Sequence, residues 1–580
     1  MKVLFFAPHS AIWNHAFPEA LVAEALAQEG NEIVYVGCGG LLNSHCISMA
    51  ARAIPFEAAP AGKESVCSLC RQNKEIIRTR FKFGGIDLSA TVNDEDRGVA
   101  ATLASSVTPQ NCLDLVVDRV EVGRIALYEL LIQKKKTEME FSEAEWQRYQ
   151  ASLRNSILVL RVMQRIFDVA RPDRVVVYNA LYSVNRVVCR LAELKGIPQY
   201  FLHAGDNLSN RLQTLIVARD HAFSYYQRLR DKWIELQDRP SSTDAMRLAT
   251  DHFLEVARGR SLWAYSAAPD KDVDLRKRFG IEAGQKIICA TMSSDDERFS
   301  GEVIGALPVN IPSVFPRQVD WIAALIRYVQ QRRDLSLIVR VHPREFPNKR
   351  ESVLSGHARM LQVALSDLPG NVKVNWPTDN ISLYDLANIA DVFANAWSSA
   401  GKEMAWLGLP VVLYSHDLTL YPANLNYVGT TEAEYFRKIE QALSDGWDPE
   451  RIRRTYRWCA IEYKHGSLDI ADSFSRNEHR SFLARATSRL LRSVLSSREQ
   501  ERDCRNRAAR LRSSGRINRI FSNEMHTVLD LDEVDTTVLH LQETDSLKKE
   551  VRRLVAGLYG APDGSPRNPL ANKLHRFAHS

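Results

Sequence analysis

The stretch SLIVRVHPREFPNK (336–349) runs four or five apolar residues straight into His342, Pro343, Arg344 and Glu345. A short Leu/Ile/Val run of this kind reads as a strand buried on both faces, as in a parallel sheet covered by helices. In open parallel sheets, ligands bind outside the carboxyl ends of the strands. An imidazole beside a guanidinium at such an end is therefore a candidate site as well as a turn. Both groups can donate to phosphate oxygens, the guanidinium in bidentate fashion. Pro343 fixes the turn and keeps His342 out of the helical region. Glu345 can orient either neighbour. The plainer alternative is a simple His-Pro turn.

The surrounding chain repeats this rhythm. QKIICATMSSDD (285–296) is a strand ending in polar residues, and QVDWIAALIRYVQQRR (318–333) is an amphipathic helix. NVKVNWP (371–377), ADVFANA (390–396) and LPVVLYS (409–415) are further strands, with helical patterns at about 382–389 and 399–408. In the first half, KVLFFA (2–7), NEIVYVG (31–37) and IPFEAA (54–59) read as strands. PEALVAEALAQEG (18–30) reads as a helix opened by Pro18 and closed by Gly30. RPDRVVVYNA (171–180), SVNRVVCRLAELKG (183–196) and IPQYFLHAG (197–205) continue as strand, helix, strand. Strands separated by such helices imply right-handed parallel crossovers. The expected fold class is α/β, with two doubly wound, Rossmann-like domains facing a cleft. They span residues 1–260, with a helical insertion at about 61–170, and 261–475; a basic helical extension covers 476–580.

Bulk properties narrow the function. A chain of 580 residues holds about three or four units. Hydrophobic content of 45%, charged content of 25% and a net charge of +6 describe a globular protein with no expected nucleic-acid partner. Nine scattered cysteines read as reduced thiols. Cys67 and Cys70 are the one tight pair, and Cys38, His45 and Cys46 complete no zinc spacing, so no metal is expected. MKVLFFAPHS is too short for a signal segment, and no apolar run reaches about 18 residues, so a cytoplasmic location is expected. From Arg476 to Arg519 stand 13 arginines with few acids. This stretch reads as a solvated helical extension, or alternatively, over 476–520, as a docking surface for a partner or the inner face of a membrane.

Other strand ends supply more candidates. After ADVFANA comes WSSAGKEMAWLGLP, in which Ser398 and Ser399 can cap a helix whose free N–H groups suit a phosphate. Gly401 permits close approach of a ligand, and Glu403 can accept hydrogen bonds from a ribose diol. Equally, the serines can be simple caps and Glu403 a surface carboxylate. Ser294, within ATMSSDDERF, and Asp379, before NISLYDLANIADVF, can read a base or ribose, or serve as caps. In the first half, His9 and His15 follow the first strand and Asp206 follows FLHAG; each is a candidate base for an acceptor proton. No P-loop, no Gly-x-Gly-x-x-Gly after the first strand and no Gly-x-Ser-x-Gly elbow is present, and no Asp-x-Asp is read as serving as a metal clamp.

Taken together, RVHPRE, NISLYDLANIADVF and NAWSSAGKEMAWLGLPVVL resemble the capsule polysaccharide biosynthesis proteins. That group contains GT-B glycosyltransferases, including bacterial Kdo transferases and, more distantly, polysialyltransferases with a His-Pro motif. The resemblance covers roughly residues 285–425. It implies that His342 and Pro343 contact the donor's phosphate, that Ser398 and Ser399 form a phosphate-binding turn, and that Glu403 holds the donor ribose. It also favours a CMP-sugar donor, with a UDP-sugar as the alternative. The last segment is similar as well to sugar-nucleotide 2-epimerases. The family's acidic base motif is not evident here, which leaves His9, His15 and Asp206 as open choices.

The expectation is a metal-independent glycosyltransferase. It would move a sugar from a nucleotide-activated donor to a surface or capsular glycan or glycolipid. It would need no cofactor, because the nucleotide-sugar is a substrate. The alternatives are an epimerase or CDP-alcohol phosphotransferase on the same scaffold, or a non-catalytic assembly protein docking through its basic C-terminal region. Oligomeric state stays open.

Overall fold

The computed structural model describes residues 1–259, 261, 263–270, 273–471, 500–501, 503–504, 514–531, 533–534, 537–560 and 568–580. Runs of Val, Ile and Phe form the first strands: β1 (Lys2–Phe6), β2 (Glu32–Gly37), β3 (Gly85–Asp87), β4 (Arg174–Tyr178), β5 (Gln199–Ala204) and β6 (Thr214–Arg219). A second set follows the linker: β7 (Lys286–Thr291), β8 (Leu335–Arg340), β9 (Val372–Asn375), β10 (Val392–Asn395), β11 (Val411–Leu413) and β12 (Tyr427–Val428), with β13 (Leu468–Asp469) after them.

These strands make two sheets, ordered β13-β6-β5-β4-β1-β2-β3 and β12-β11-β10-β7-β8-β9. The second is parallel throughout. The central strand β1 pairs Leu4 with Val34 on one side and Val175 on the other, and Val3 to Phe6 are fully buried. Strand β8 is buried along its whole length. Both sheets are therefore two-sided cores covered by helices, the doubly wound two-domain α/β architecture expected.

Three local expectations are corrected. IPFEAA forms no strand; the chain turns there, with the Ala58 N–H donating to the Pro55 carbonyl. The third strand is β3, inside the segment read as an insertion, and it is preceded by a 22-residue helix, Pro60–Phe81. The first helix begins at Trp13, so Pro18 lies inside it. Its missing N–H removes one bond of the helical ladder, a cost outweighed by the full burial of Phe17 to Leu21. Beyond these, β6, a strand not singled out in the sequence, runs antiparallel to β5 and is joined to it by residues 205–213 rather than by a helical crossover.

The chain ends by crossing back. β13 pairs with β6 of the first sheet, and helix Ser514–Ser522 packs on helix Trp13–Gln28. Helices His540–Tyr559 and Pro569–His579 pack on each other, and the former also packs on Thr243–Ala257. Most of the arginine-rich stretch 476–519 lies outside the described residues. Among those described, no helix is long and apolar enough to cross a membrane.

Candidate functional site

The carboxyl ends of β7, β8 and β10 open on a cavity of about 300 Å³. Its walls come from both halves of the chain. The second domain contributes Arg340, His342, Pro343, Ser398, Ser399 and Glu403, and the first contributes Asp206, Tyr226 and His252. The segment between helices Thr243–Ala257 and Leu275–Phe279, which links the two sheets, adds Trp263, Tyr265 and Ser266.

Pro343 starts a single turn that folds the Arg344 N–H back onto His342 Nδ1 at 3.3 Å. Nδ1 is therefore the acceptor, and Nε2–H is left as the ring's donor. Burial pushes this imidazole down to about 4, with the Arg344, Arg340 and Lys135 charges adding to the effect against Glu345. At neutral pH His342 is thus an uncharged hydrogen-bond donor, with Tyr265 against it at a ring separation of 5.6 Å.

The turn after β10 is held from below. Thr291 Oγ1 donates to Asn395 Oδ1 at 2.8 Å, and Asn395 Nδ2 donates to the Ser398 carbonyl at 3.0 Å. Ser398 Oγ accepts the Ala400 N–H at 3.2 Å. Ser399 Oγ donates to Glu403 Oε1 at 2.8 Å, and Tyr384 OH donates to Oε2 at 2.7 Å, so the carboxylate is fixed at the cavity wall. Gly401 has a packing reason: a Cβ there would lie 2.1 Å from the Tyr421 hydroxyl and 2.7 Å from Asn395 Nδ2.

On the opposite wall, Asp206 Oδ2 accepts the Tyr226 hydroxyl at 2.8 Å, and Arg211 stands 4.0 Å from Oδ1. A single π turn, Ile461–His465, sets Glu462 and Tyr463 side by side. Lys402 donates to both Glu462 oxygens at 2.8 and 2.6 Å and to Tyr463 OH at 2.9 Å. Burial alone would lower the Lys402 ammonium, but Glu462 more than offsets it. His252 accepts the Leu208 N–H on Nδ1 and meets Tyr463 OH through Nε2, both at 3.0 Å.

The remaining sequence candidates lie elsewhere. Arg344 is buried in an ion-pair network with Asp296 and Glu351 and does not line the cavity. Ser294 holds the N-cap position of helix Asp295–Val303, but its hydroxyl donates to the Glu297 carboxylate at 3.5 Å rather than capping the helix backbone. Asp379 closes its own turn on the Trp376 N–H at 2.8 Å. His15 stacks on Tyr178 at 4.0 Å. His9 lines a separate hollow of about 40 Å³ with Glu129 and Arg148, and neither of its ring nitrogens has a hydrogen-bond partner among the described residues. Burial pushes both of these imidazoles down to about 3. Cys38, Cys46, Cys67 and Cys70 line a third small hollow. Burial lifts Cys38 to about 11 and Cys46 to about 12, so both are neutral thiols. Among the described residues, no three His, Cys, Asp or Glu side chains are grouped to hold a metal ion.

Sequence reasoning missed Arg340, Tyr226, His252, the linker aromatics and the Lys402–Glu462–Tyr463 group. Only Arg340 carried a signal: a charge closing a strand of otherwise uncharged, buried residues.

No family model and no curated protein matches the chain. Solved structures do. The UDP-GlcNAc 2-epimerase from Neisseria meningitidis bound to UDP-GlcNAc is 12% identical, covering 86% of this chain and 100% of that one, with a TM-score of 0.26. KpsC of Thermosulfurimonas dismutans, a beta Kdo 2,4 transferase, is 16% identical over 50% of this chain and 78% of its own, with a TM-score of 0.30. The glycosyltransferase SnogD from Streptomyces nogalater is 15% identical over 80% and 95%, with a TM-score of 0.21. At such scores and identities the likeness is no guide to substrate.

Proposed function

We propose that the protein is a glycosyltransferase that uses a nucleotide-activated sugar, with a CMP-sugar favoured and a UDP-sugar as the alternative. The donor lies in the cavity with its ribose at Glu403 and its phosphate near His342 and the Ser398–Ser399 turn. The acceptor hydroxyl, from a surface or capsular glycan, enters beside Asp206. In the transfer, the bond from the anomeric carbon to the phosphate oxygen breaks and its electrons stay on the nucleotide. The acceptor oxygen bonds to the anomeric carbon, and its proton passes to the Asp206 carboxylate. Holding the two substrates in line and supporting the departing phosphate lower the barrier.

One observation supports this reading above the others. Asp206 of the first domain lines the same cavity as His342, Ser398, Ser399 and Glu403 of the second, whereas His9 and His15 do not. The test is Asp206→Asn. Turnover should fall by about 10²–10⁴ while nucleotide affinity is unchanged, measured after a screen of CMP-, UDP-, GDP- and CDP-linked donors. Donor that isomerises without any acceptor would instead identify an epimerase.

A further inference from the structure

We infer that Arg340, the last residue of β8, is the principal anion-binding residue of the cavity. It takes an oxyanion on its free Nε and Nη2 donors, and on the function proposed above that oxyanion is the donor's phosphate.

Arg340 is only 8% exposed and lines the cavity. Its Nη1 is tied down, donating to Asn375 Oδ1 and to the Ile381 carbonyl at 3.0 Å. Among the described residues, Nε and Nη2 make no hydrogen bond, and no carboxylate comes within salt-bridge distance. Nor are these nitrogens sealed in protein, since they are absent from the fully buried, unpartnered polar atoms. The fork is therefore anchored at one end and open toward the cavity.

The neighbouring acids are already occupied. Glu403 accepts Ser399 and Tyr384, and Asp385 accepts the Asp270 N–H. The other buried cations nearby are neutralised, Lys402 by Glu462 and Arg344 by Asp296 and Glu351. A buried guanidinium without an ion-pair partner is unfavourable, and burial pulls its pKa down even though the more distant Glu403 and Asp385 work in the other direction. An oxyanion bound across Nε and Nη2 relieves that cost with two parallel charge-assisted bonds.

The rest of the site cannot carry this charge. His342 is neutral, and the helix behind Ser398–Ser399 spans only Ala400–Trp406. Arg344, four residues on, has spent its donors elsewhere. The alternation along 340, 342 and 344 thus assigns charge to Arg340 and a neutral hydrogen bond to His342.

The test compares a nucleoside with its 5′-monophosphate by calorimetry on the full chain. Wild type should bind the monophosphate about 10–100-fold more tightly. Arg340→Met should erase that ratio and leave nucleoside affinity within about twofold. Its Tm without ligand should change little, because removing a buried charge that lacks an ion pair offsets the loss of its bonds to Asn375 and Ile381. If the ratio survives, or if both ligands weaken equally, the inference is overturned. Should the Met variant not fold, Arg340→Lys keeps charge without the fork, and its ratio should fall between; an equal loss for both ligands again overturns it. A pyrophosphate arm separates the two readings. Pyrophosphate raising the Tm of wild type but not of Arg340→Met, with no nucleotide bound, leaves this anion site standing and removes the nucleotide-sugar function.

Discussion

Arg344 Nε lies 3.2 and 3.0 Å from the two oxygens of Asp296, and Nη2 lies 2.7 Å from one of them, with both side chains almost wholly buried. Nη1 takes Glu351 at 2.7 and 2.9 Å, and Nη2 also reaches the Ile132 carbonyl of the first domain at 3.1 Å. The residue that stands beside the His-Pro turn in sequence is thus a structural cross-link between domains.

Arg344→Ala should leave Asp296 buried without its partner. A broken buried pair costs about 3–5 kcal/mol, so the Tm should drop by many degrees. Nucleotide affinity of the molecules that remain folded should change by less than about threefold. A scan by calorimetry with matched titrations checks both. Lost affinity at unchanged Tm would mean that the guanidinium serves the ligand.

Glu403 offers a sharper probe of the ligand itself. Its two oxygens are oriented by Ser399 and Tyr384, so the remaining lone pairs face the cavity in a fixed direction. Glu403→Gln should weaken ribonucleotides by about 10–100-fold, the size of a lost charge-assisted hydrogen bond. 2′,3′-Dideoxynucleotides should be almost unaffected. Equal weakening of both series would show that the carboxylate does not hold the ribose.

The difference between Arg344 and Arg340 shows how far sequence reading reaches. The parallel strands were legible because Val, Ile and Leu runs between helical patterns have few other solutions. The cavity's second-domain wall followed, since His342 and Ser398–Glu403 sit at strand ends. Which polar residues at a strand end face the ligand depends on side-chain partners remote in sequence. Asp296 claims Arg344 from 48 positions away, and Glu462 claims Lys402 from 60. IPFEAA reads as a strand because local apolar content alone does not distinguish a strand from a half-exposed turn. The arginine at 340 carries less signal because it is the last residue of the strand itself rather than part of the turn that follows.

His357 gives a pH prediction. Its Nδ1 is 3.3 Å from Glu345 and its Nε2 is 3.7 Å from Asp295. Burial alone would lower this imidazole, but Glu345 and Asp295 more than offset it and hold it above 6.5. A ring that holds its proton more tightly when folded stabilises fully below 6.5, and that contribution fades as pH rises through the folded value. Burial would likewise raise Glu345, yet His357 and Ser355 hold it below 4.5, so its share is lost only as pH falls through that lowered value. The Tm advantage of wild type over His357→Gln should therefore be greatest between about pH 4.5 and 6.5 and shrink toward pH 8.5. An advantage that grew with pH would contradict a charged ring.

The C-terminal helices supply the last test, because they decide whether the end of the chain is a free docking arm. Glu543, fully buried, accepts Arg457 at 2.8 and 2.7 Å, Arg453 at 3.2 Å and the Ser241 N–H at 3.0 Å. It therefore ties helix His540–Tyr559 both to the first domain's 241 loop and to the helix that closes the second, Pro449–Ala460. Burial raises the carboxyl, but Arg457, Ser241 and Arg453 outweigh it and hold the group ionised. The same helix buries Leu547, Val551, Leu554 and Leu558 against the body, so its apolar face is not available to a membrane or partner. Glu543→Ala should strand two arginines and cost about 3–5 kcal/mol. Limited proteolysis should then cut ahead of residue 540 under conditions where wild type is resistant, while nucleotide affinity before cleavage is unchanged. Resistance equal to wild type would mean that the clasp is held by the leucine face alone, and a variant that loses nucleotide binding before any cut would tie the clasp to the cavity.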